Sequence, residues 1–321
     1  MRFLIPQGIG DSVWALTKIQ DMSEKHGDGV IDIVTNCSGV NPIENRALEF
    51  ILGFDFVCSA GMKKVSILLP PWTVPADENG YYRYIDSGPN SVEGVDWTLI
   101  PNSPMERGIR LEDWLPEYKT NWDLMNHFHF TQPSMKRSMD IQEVVGDFCV
   151  FYLGPLMGNT REGHNRNSIW KPEDWITLGD FIQNSLGLRV IVVGASYDEE
   201  YFDRLISGKG SSSKWVNLIG KTNVNELYSL ISIAKFVVSY QSGVGIVSEY
   251  LRVPTAIFWR QKGDSVASSF YISFDEKMNG AWSPPDVISS GKHLTLYYGR
   301  HDAEYVCGEI EKRGWHKNGN R

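Results

Sequence analysis

The chain has 321 residues, about twice the length of a ~150-residue domain, so two domains are expected. Its 42% hydrophobic and 22% charged residues exclude a disordered or collagen-like chain. A formal net charge of −8, with pI near 5.4, argues against attachment to nucleic acid or anionic lipid through a broad basic surface, but leaves room for a local basic cleft. Aromatic residues make up 12%, a composition suited to surfaces that stack on sugars or bases. The opening MRFLIPQGIGD carries one basic residue and too short an apolar stretch for a signal peptide. No run approaches the ~18 apolar residues of a membrane span. Cys37, Cys58, Cys149 and Cys307 are widely spaced, without C-x-x-C, and read as reduced thiols of a cytoplasmic protein.

In chain order, Arg2 to Gln7 is expected to form a strand, followed by the turn Gly8-Ile9-Gly10-Asp11. A helix then carries Val13, Leu16, Ile19 and Met22 on one apolar face and ends at His26-Gly27. A strand at Val30 to Thr35, a helix from about Pro42 to Leu52 and a strand at Phe54 to Cys58 complete a βαβ pattern, the grammar of a parallel sheet. Pro70 to Pro116 crowds prolines, glycines and aromatics without periodicity, as long functional loops do, and Leu111 to Phe130 is partly helical in pattern.

The alternation restarts at Phe148. Strands are expected at Phe148 to Leu153, Leu188 to Val193, Lys235 to Tyr240 and Thr255 to Trp259, the last closing the series. Helices are expected from Pro172 to Ser185, from the capping box Asn223-Val224-Asn225-Glu226 to Ala234, and from the Ser242-Gly243-Val244-Gly245 turn to Leu251. A final amphipathic helix, about Asp302 to Arg313, places Tyr305, Val306 and Ile310 on one side. Domains of residues 1–146 and 147–321 follow from this pattern.

Three segments carry candidate chemistry. Ser242 to Gly245 joins a buried strand to a helix, so backbone N–H groups and the positive dipole end converge where two glycines admit a phosphate; a tight packing turn is the equal alternative. Gly8-Ile9-Gly10-Asp11 lacks the third glycine of a dinucleotide fingerprint, and Asp11 is either a helix cap or a catalytic base. Residues 158–167 are dense in donors, and Arg161, His164 and Arg166 suit a diphosphate, or else a solvated loop. His127 and His129 suggest no third metal ligand, and the chain contains no D-x-D.

Four stretches together resemble the GT-B fold glycosyltransferases of family 9, the heptosyltransferase-like group. They are Gly8 to Leu16, similar to that family's G-x-G-D opening, and Trp170 to Leu178, similar to its W-P-x-x-x-W-x-x-L helix start with Lys171 inserted. The others are Asn217 to Thr222 with Glu226-Leu227, and Ser239 to Pro254, similar to the donor-phosphate turn and its helix. The resemblance implies two Rossmann-like domains facing a cleft, the acceptor on the first and a nucleotide-diphosphate sugar on the second, with the last helix returning toward the first domain. It implies an inverting transfer without metal or cofactor, and Asp11 as the base near Gly8 and Gly10. Donor contacts fall on Asn159, Arg161, His164, Arg166, Lys171, Gln241, Ser242, Gly243, Val244 and Gly245, and Glu249 either binds ribose hydroxyls or faces solvent. Where the family has D-[ST]-G-x-x-H, this chain has Gln241 and Ile246, so the donor sugar stays open. The rival readings are a viral-type enzyme glycosylating a hydroxylated DNA base, with nucleic acid only as acceptor, and a non-catalytic nucleotide-sugar-binding protein.

Overall fold

A computed structural model describes residues 2–5, 10, 13, 16–17, 20, 31–36, 63–68, 97–98, 146–153, 170–240, 242–259, 284–297 and 300–317. The chain divides into two compact units, Met1–Lys136 and Arg137–Arg321.

In the first unit, β1 (Arg2–Ile5), β2 (Ile31–Asn36), β3 (Lys63–Leu68) and β4 (Trp97–Thr98) form a parallel sheet in the order β3-β2-β1-β4. Residues 10, 13, 16, 17 and 20 are helical, and Val13 and Leu16 are fully buried, as the apolar face requires. The Thr17 hydroxyl donates to the Val13 carbonyl one turn back, at 2.9 Å. The sequence pattern missed β3, which pairs with β2 from Ile31↔Lys63 to Asn36↔Leu68, and β4, inside the aromatic segment read as loop. The strand expected at Phe54 to Cys58 lies outside the described residues.

The second unit is a six-stranded parallel sheet with helices between strands. In chain order it contains β5 (Phe148–Tyr152), α1 (Pro172–Asn184), β6 (Arg189–Val193), α2 (Glu199–Leu205), β7 (Val216–Asn217), α3 (Val224–Ile233) and β8 (Val237–Tyr240). Then come α4 (Gly243–Tyr250), β9 (Thr255–Trp259), α5 (Pro285–Ser289), β10 (His293–Tyr297) and α6 (Ala303–Arg313). The expected elements recur within one or two residues because their signals are local. Asn223 Oδ1 accepts from Glu226 N at 2.9 Å and Glu226 Oε2 from Asn223 N at 2.8 Å, the reciprocal capping box that opens α3.

Sheet order is β10-β9-β8-β5-β6-β7. β5 and β8 are buried along their whole length, as central parallel strands must be. Thr255 to Trp259 does not close the series: β10 adds an edge, its residues alternating between buried Leu294 and Leu296 and half-buried neighbours. The alternation in His-Leu-Thr-Leu-Tyr was a readable signal of a half-exposed edge.

The core is aromatic. Trp175 of α1 meets Tyr240, Phe151 and Phe258 edge-on or tilted, with ring centroids 5.5, 5.3 and 6.2 Å away, and Trp170 caps the cluster 4.6 Å from Phe258. Gly179 lets the Trp215 ring lie on α1, since a Cβ there would sit 2.2 Å from the indole Cζ2. α6 packs on α1 through Ala303, Val306, Cys307 and Ile310. Tyr305, expected on that face, is 43% exposed instead, because the buried stripe runs i, i+3, i+4, i+7 from Ala303.

Candidate anion-binding turn at the sheet reversal

From β5 the chain winds outward to β6 and β7, then returns to the other side of β5 with β8. Strand order therefore reverses between β5 and β8, and the crevice beyond the carboxyl ends of two such strands is where open α/β sheets bind ligands. Tyr152 pairs with Ser239 in register, so the two strands end side by side. The segment following β5 contains the donor-rich 158–167 stretch, and the one following β8 is the Ser242 turn. Sheet order thus brings the carboxyl ends of β5 and β8, far apart in sequence, to the same edge. Asn159, Arg161, His164, Arg166 and Gln241 themselves lie outside the described residues.

Ser242 is the N-cap of α4, extended at φ −162° and ψ 170°. Its carbonyl accepts the first full helical bond, from Ile246 N at 3.1 Å, and its Oγ accepts from Gly245 N at 3.3 Å. The N–H groups of Gly243 and Val244 precede any intrahelical acceptor and point out of the helix start, where the dipole is positive. Val244 has a buried side chain, so only its backbone serves the turn. Ser239, which sequence reasoning passed over as an ordinary strand residue, is fully buried beneath. Its hydroxyl donates to the Tyr240 carbonyl at 2.5 Å and lies 2.9 Å from Ser242 Oγ. With Ser239 thus committed as a donor, the Ser242 proton is available to Ser239 Oγ or to a ligand oxygen.

The two glycines have different duties. A Cβ at Gly245 would stand 3.2 Å from Ile257 Cδ1 and 3.3 Å from Ser239 Oγ, so Gly245 seats α4 on β9. Gly243, the first helical residue and only half-buried, lies at the open end.

Lys171 has an exposed side chain, and its backbone N–H donates to Asp174 Oδ2 at 2.9 Å. It follows Trp170, whose ring packs on Phe258, the register partner of Tyr240, and whose Nε1 donates to the His301 carbonyl at 2.6 Å. These contacts hold Lys171 at the same sheet edge as the turn. Glu249 differs from expectation. Its side chain is 0% exposed and hydrogen-bonds His293 Nδ1, so it offers no face to a ribose. The helix turns it inward toward β10, a strand the sequence reading did not include.

An open depression of about 650 Å³ past β6 is lined by Ser196, Glu199, Glu200 and Asp203. Its three carboxylates repel phosphate, in contrast to the start of α4. Burial pushes the Cys149 thiol up and raises that of Cys307 to about 12, so both stay protonated.

In the first unit β1 occupies the corresponding reversal, between β2 and β4. In the sequence, Gly8 to Asp11 come just after that strand. Gly10 is helical and half-buried, while Gly8 and Asp11 lie outside the described residues.

Residues 123–258 match the model for glycosyltransferase family 9 (heptosyltransferase). The fold resembles that of E. coli ADP-heptose lps heptosyltransferase II at 12% identity, with a TM-score of 0.57 over 98% of each chain. It also resembles a family 9 glycosyl transferase from Veillonella parvula DSM 2008, at 12% identity and TM-score 0.56, over 97% of this chain and 96% of that one. TibC, an iron-containing dodecameric glycosyltransferase from enterotoxigenic E. coli, is similar at 12% identity and TM-score 0.50, over 98% of this chain and 77% of its own. No curated protein matches by sequence.

Proposed function

We propose that this chain is a glycosyltransferase of GT-B fold, a reading supported by the family 9 match over residues 123–258, and that it moves a sugar from a nucleotide-diphosphate donor to an acceptor hydroxyl, with inversion and without a metal. The observation that carries the reading is the start of α4. Two N–H groups with no acceptor among the described residues, a serine hydroxyl and the helix dipole converge at the strand-order reversal.

In this reading the diphosphate accepts from Gly243 N, Val244 N and Ser242 Oγ. Arg161, Arg166 and Lys171 neutralise the charge that grows on it as the anomeric C–O bond breaks. Asn159, His164 and Gln241 line the same donor. Asp11 accepts the proton of the attacking hydroxyl, which reaches the anomeric carbon opposite the departing diphosphate. The acceptor is a saccharide or another hydroxyl compound held by the first unit. Reaction in the cytoplasm accords with the free, buried Cys149 and Cys307. No helix among the described residues is long and apolar enough to cross a membrane.

A thermal-shift screen with ADP, UDP, GDP and ADP-heptose tests the reading. A ligand at 100 times its Kd adds ~2.7 kcal/mol of stability. A shift followed by donor hydrolysis or sugar transfer supports the enzyme. Binding without turnover supports a nucleotide-sugar-binding protein, the second reading, which the Gln241 and Ile246 departures favour.

A further inference from the structure

We propose that Glu249 and His293 are a positioning pair that holds the phosphate-binding turn in its seat, an inference that rests on reading α4 as the donor helix. α4 is fastened at both ends. At the start, Gly245 lies against Ile257 and Ser242 against Ser239. At the far end, the Thr255 hydroxyl of β9 lies 2.8 Å from Ser248 Oγ, and the Glu249 carboxylate meets His293 Nδ1 of β10. Just beyond, Arg252 adopts φ 62°, left-handed for a non-glycine residue, held by Asp286 Oδ2 at 2.8 Å and Oδ1 at 3.1 Å.

The pair is almost dry: Glu249 is fully buried and the His293 side chain 8% exposed. An ion pair in such a place contributes little net stability, because desolvation offsets attraction, whereas removing one partner alone is severe. What it supplies is geometry. It ties the helix to β10, the edge strand on the far side of β9. His293 is itself fixed, with Nε2 2.6 Å from Thr295 Oγ1 and its carbonyl accepting from Arg313 Nη1 at 3.2 Å.

The charged groups around His293 are Glu249 from α4, Arg313 from α6 and the adjacent Lys292, whose Nζ donates to the Arg252 carbonyl at 3.0 Å. Burial draws the imidazolium down and Arg313 adds to that, but the charge and hydrogen bond of Glu249 outweigh both and leave His293 above its ordinary value. A raised histidine stabilises fully below its unfolded value of ~6.5, and this contribution disappears as pH rises through the folded value. Loss of the proton removes the cation facing Glu249 and weakens this one of the ties at the far end of α4, which loosens the hold on the N–H groups of Gly243 and Val244 at its start.

The test measures affinity of the full chain for inorganic pyrophosphate, which carries the diphosphate without a base, against pH. Wild type is compared with the doubly neutral E249Q/H293Q, and with H293Q where that single variant folds. Titration of pyrophosphate itself is common to all and cancels in the ratio. The expected result is a wild-type to double-variant affinity ratio that falls at least threefold as pH rises through the His293 transition, read in parallel as a loss of ligand-free Tm in wild type alone. A constant ratio, with pyrophosphate bound by both proteins, overturns the positioning role and leaves the donor reading standing. Absence of pyrophosphate binding at every pH, in folded protein, overturns the donor reading and this inference with it.

Discussion

Replacing Gly243 by valine separates a ligand site from a packing turn. Ile246 N donates to the Ser242 carbonyl and Gly245 N to the Ser242 hydroxyl, which leaves the N–H groups of Gly243 and Val244 as the first-turn donors without an acceptor among the described residues. Hydrogen bonds to a charged group are worth ~1.5–3 kcal/mol each. A branched side chain at Gly243 obstructs approach to both, and blocking one is enough to weaken nucleoside diphosphate binding at least tenfold, or ~1.4 kcal/mol. Stability is expected to hold, because valine is no worse than glycine in a helix. Gly245→Ala provides the contrast. Its Cβ meets Ile257 at 3.2 Å, so it reports on the seating of α4 and not on ligand access. Isothermal titration with the diphosphate found in the screen, alongside thermal unfolding, measures both effects. Undiminished affinity in a folded Gly243→Val protein would show that the turn only packs the helix, and would falsify the donor assignment.

Asp11→Asn keeps a side-chain oxygen able to cap the helix, so Tm is expected to change little while transfer falls by at least ~10² with donor binding intact; near-normal turnover would reduce Asp11 to a cap. Transfer is expected to survive excess chelator, since Arg161, Arg166, Lys171 and the α4 dipole are assigned to the leaving group, and a strict demand for added divalent ion would refute that assignment. Gly179→Ala forces the rigid Trp215 ring aside from a 2.2 Å clash. Overpacking costs about 1–3 kcal/mol, less the ~1 kcal/mol that alanine gains in a helix, so Tm should drop by up to roughly 8 °C. Trp215→Phe in the same chain should recover part of that loss in a double-mutant cycle, and purely additive effects would rule out the clash.

The sequence by itself determined the features whose cause lies within a few residues. The Asn223–Glu226 capping box, Pro172 in the first turn of α1, the buried runs of β5, β6 and β8 and the glycine turn before α4 all depend on neighbours in the chain, and each stands where local chemistry put it. Tertiary structure decided what depends on partners remote in sequence. Only sheet order places the carboxyl ends of β5 and β8 at one edge, because a strand's place in a parallel sheet is set by crossovers and not by its own composition. Only packing assigns Gly245 to Ile257 and Gly179 to Trp215, since the need for a missing side chain is visible in the neighbour alone. Glu249 shows the limit most clearly. Its helix was legible, but which way the carboxylate faced depended on β10, a strand 44 residues further on whose histidine takes the bond, and so burial against His293 replaced the expected ribose contact.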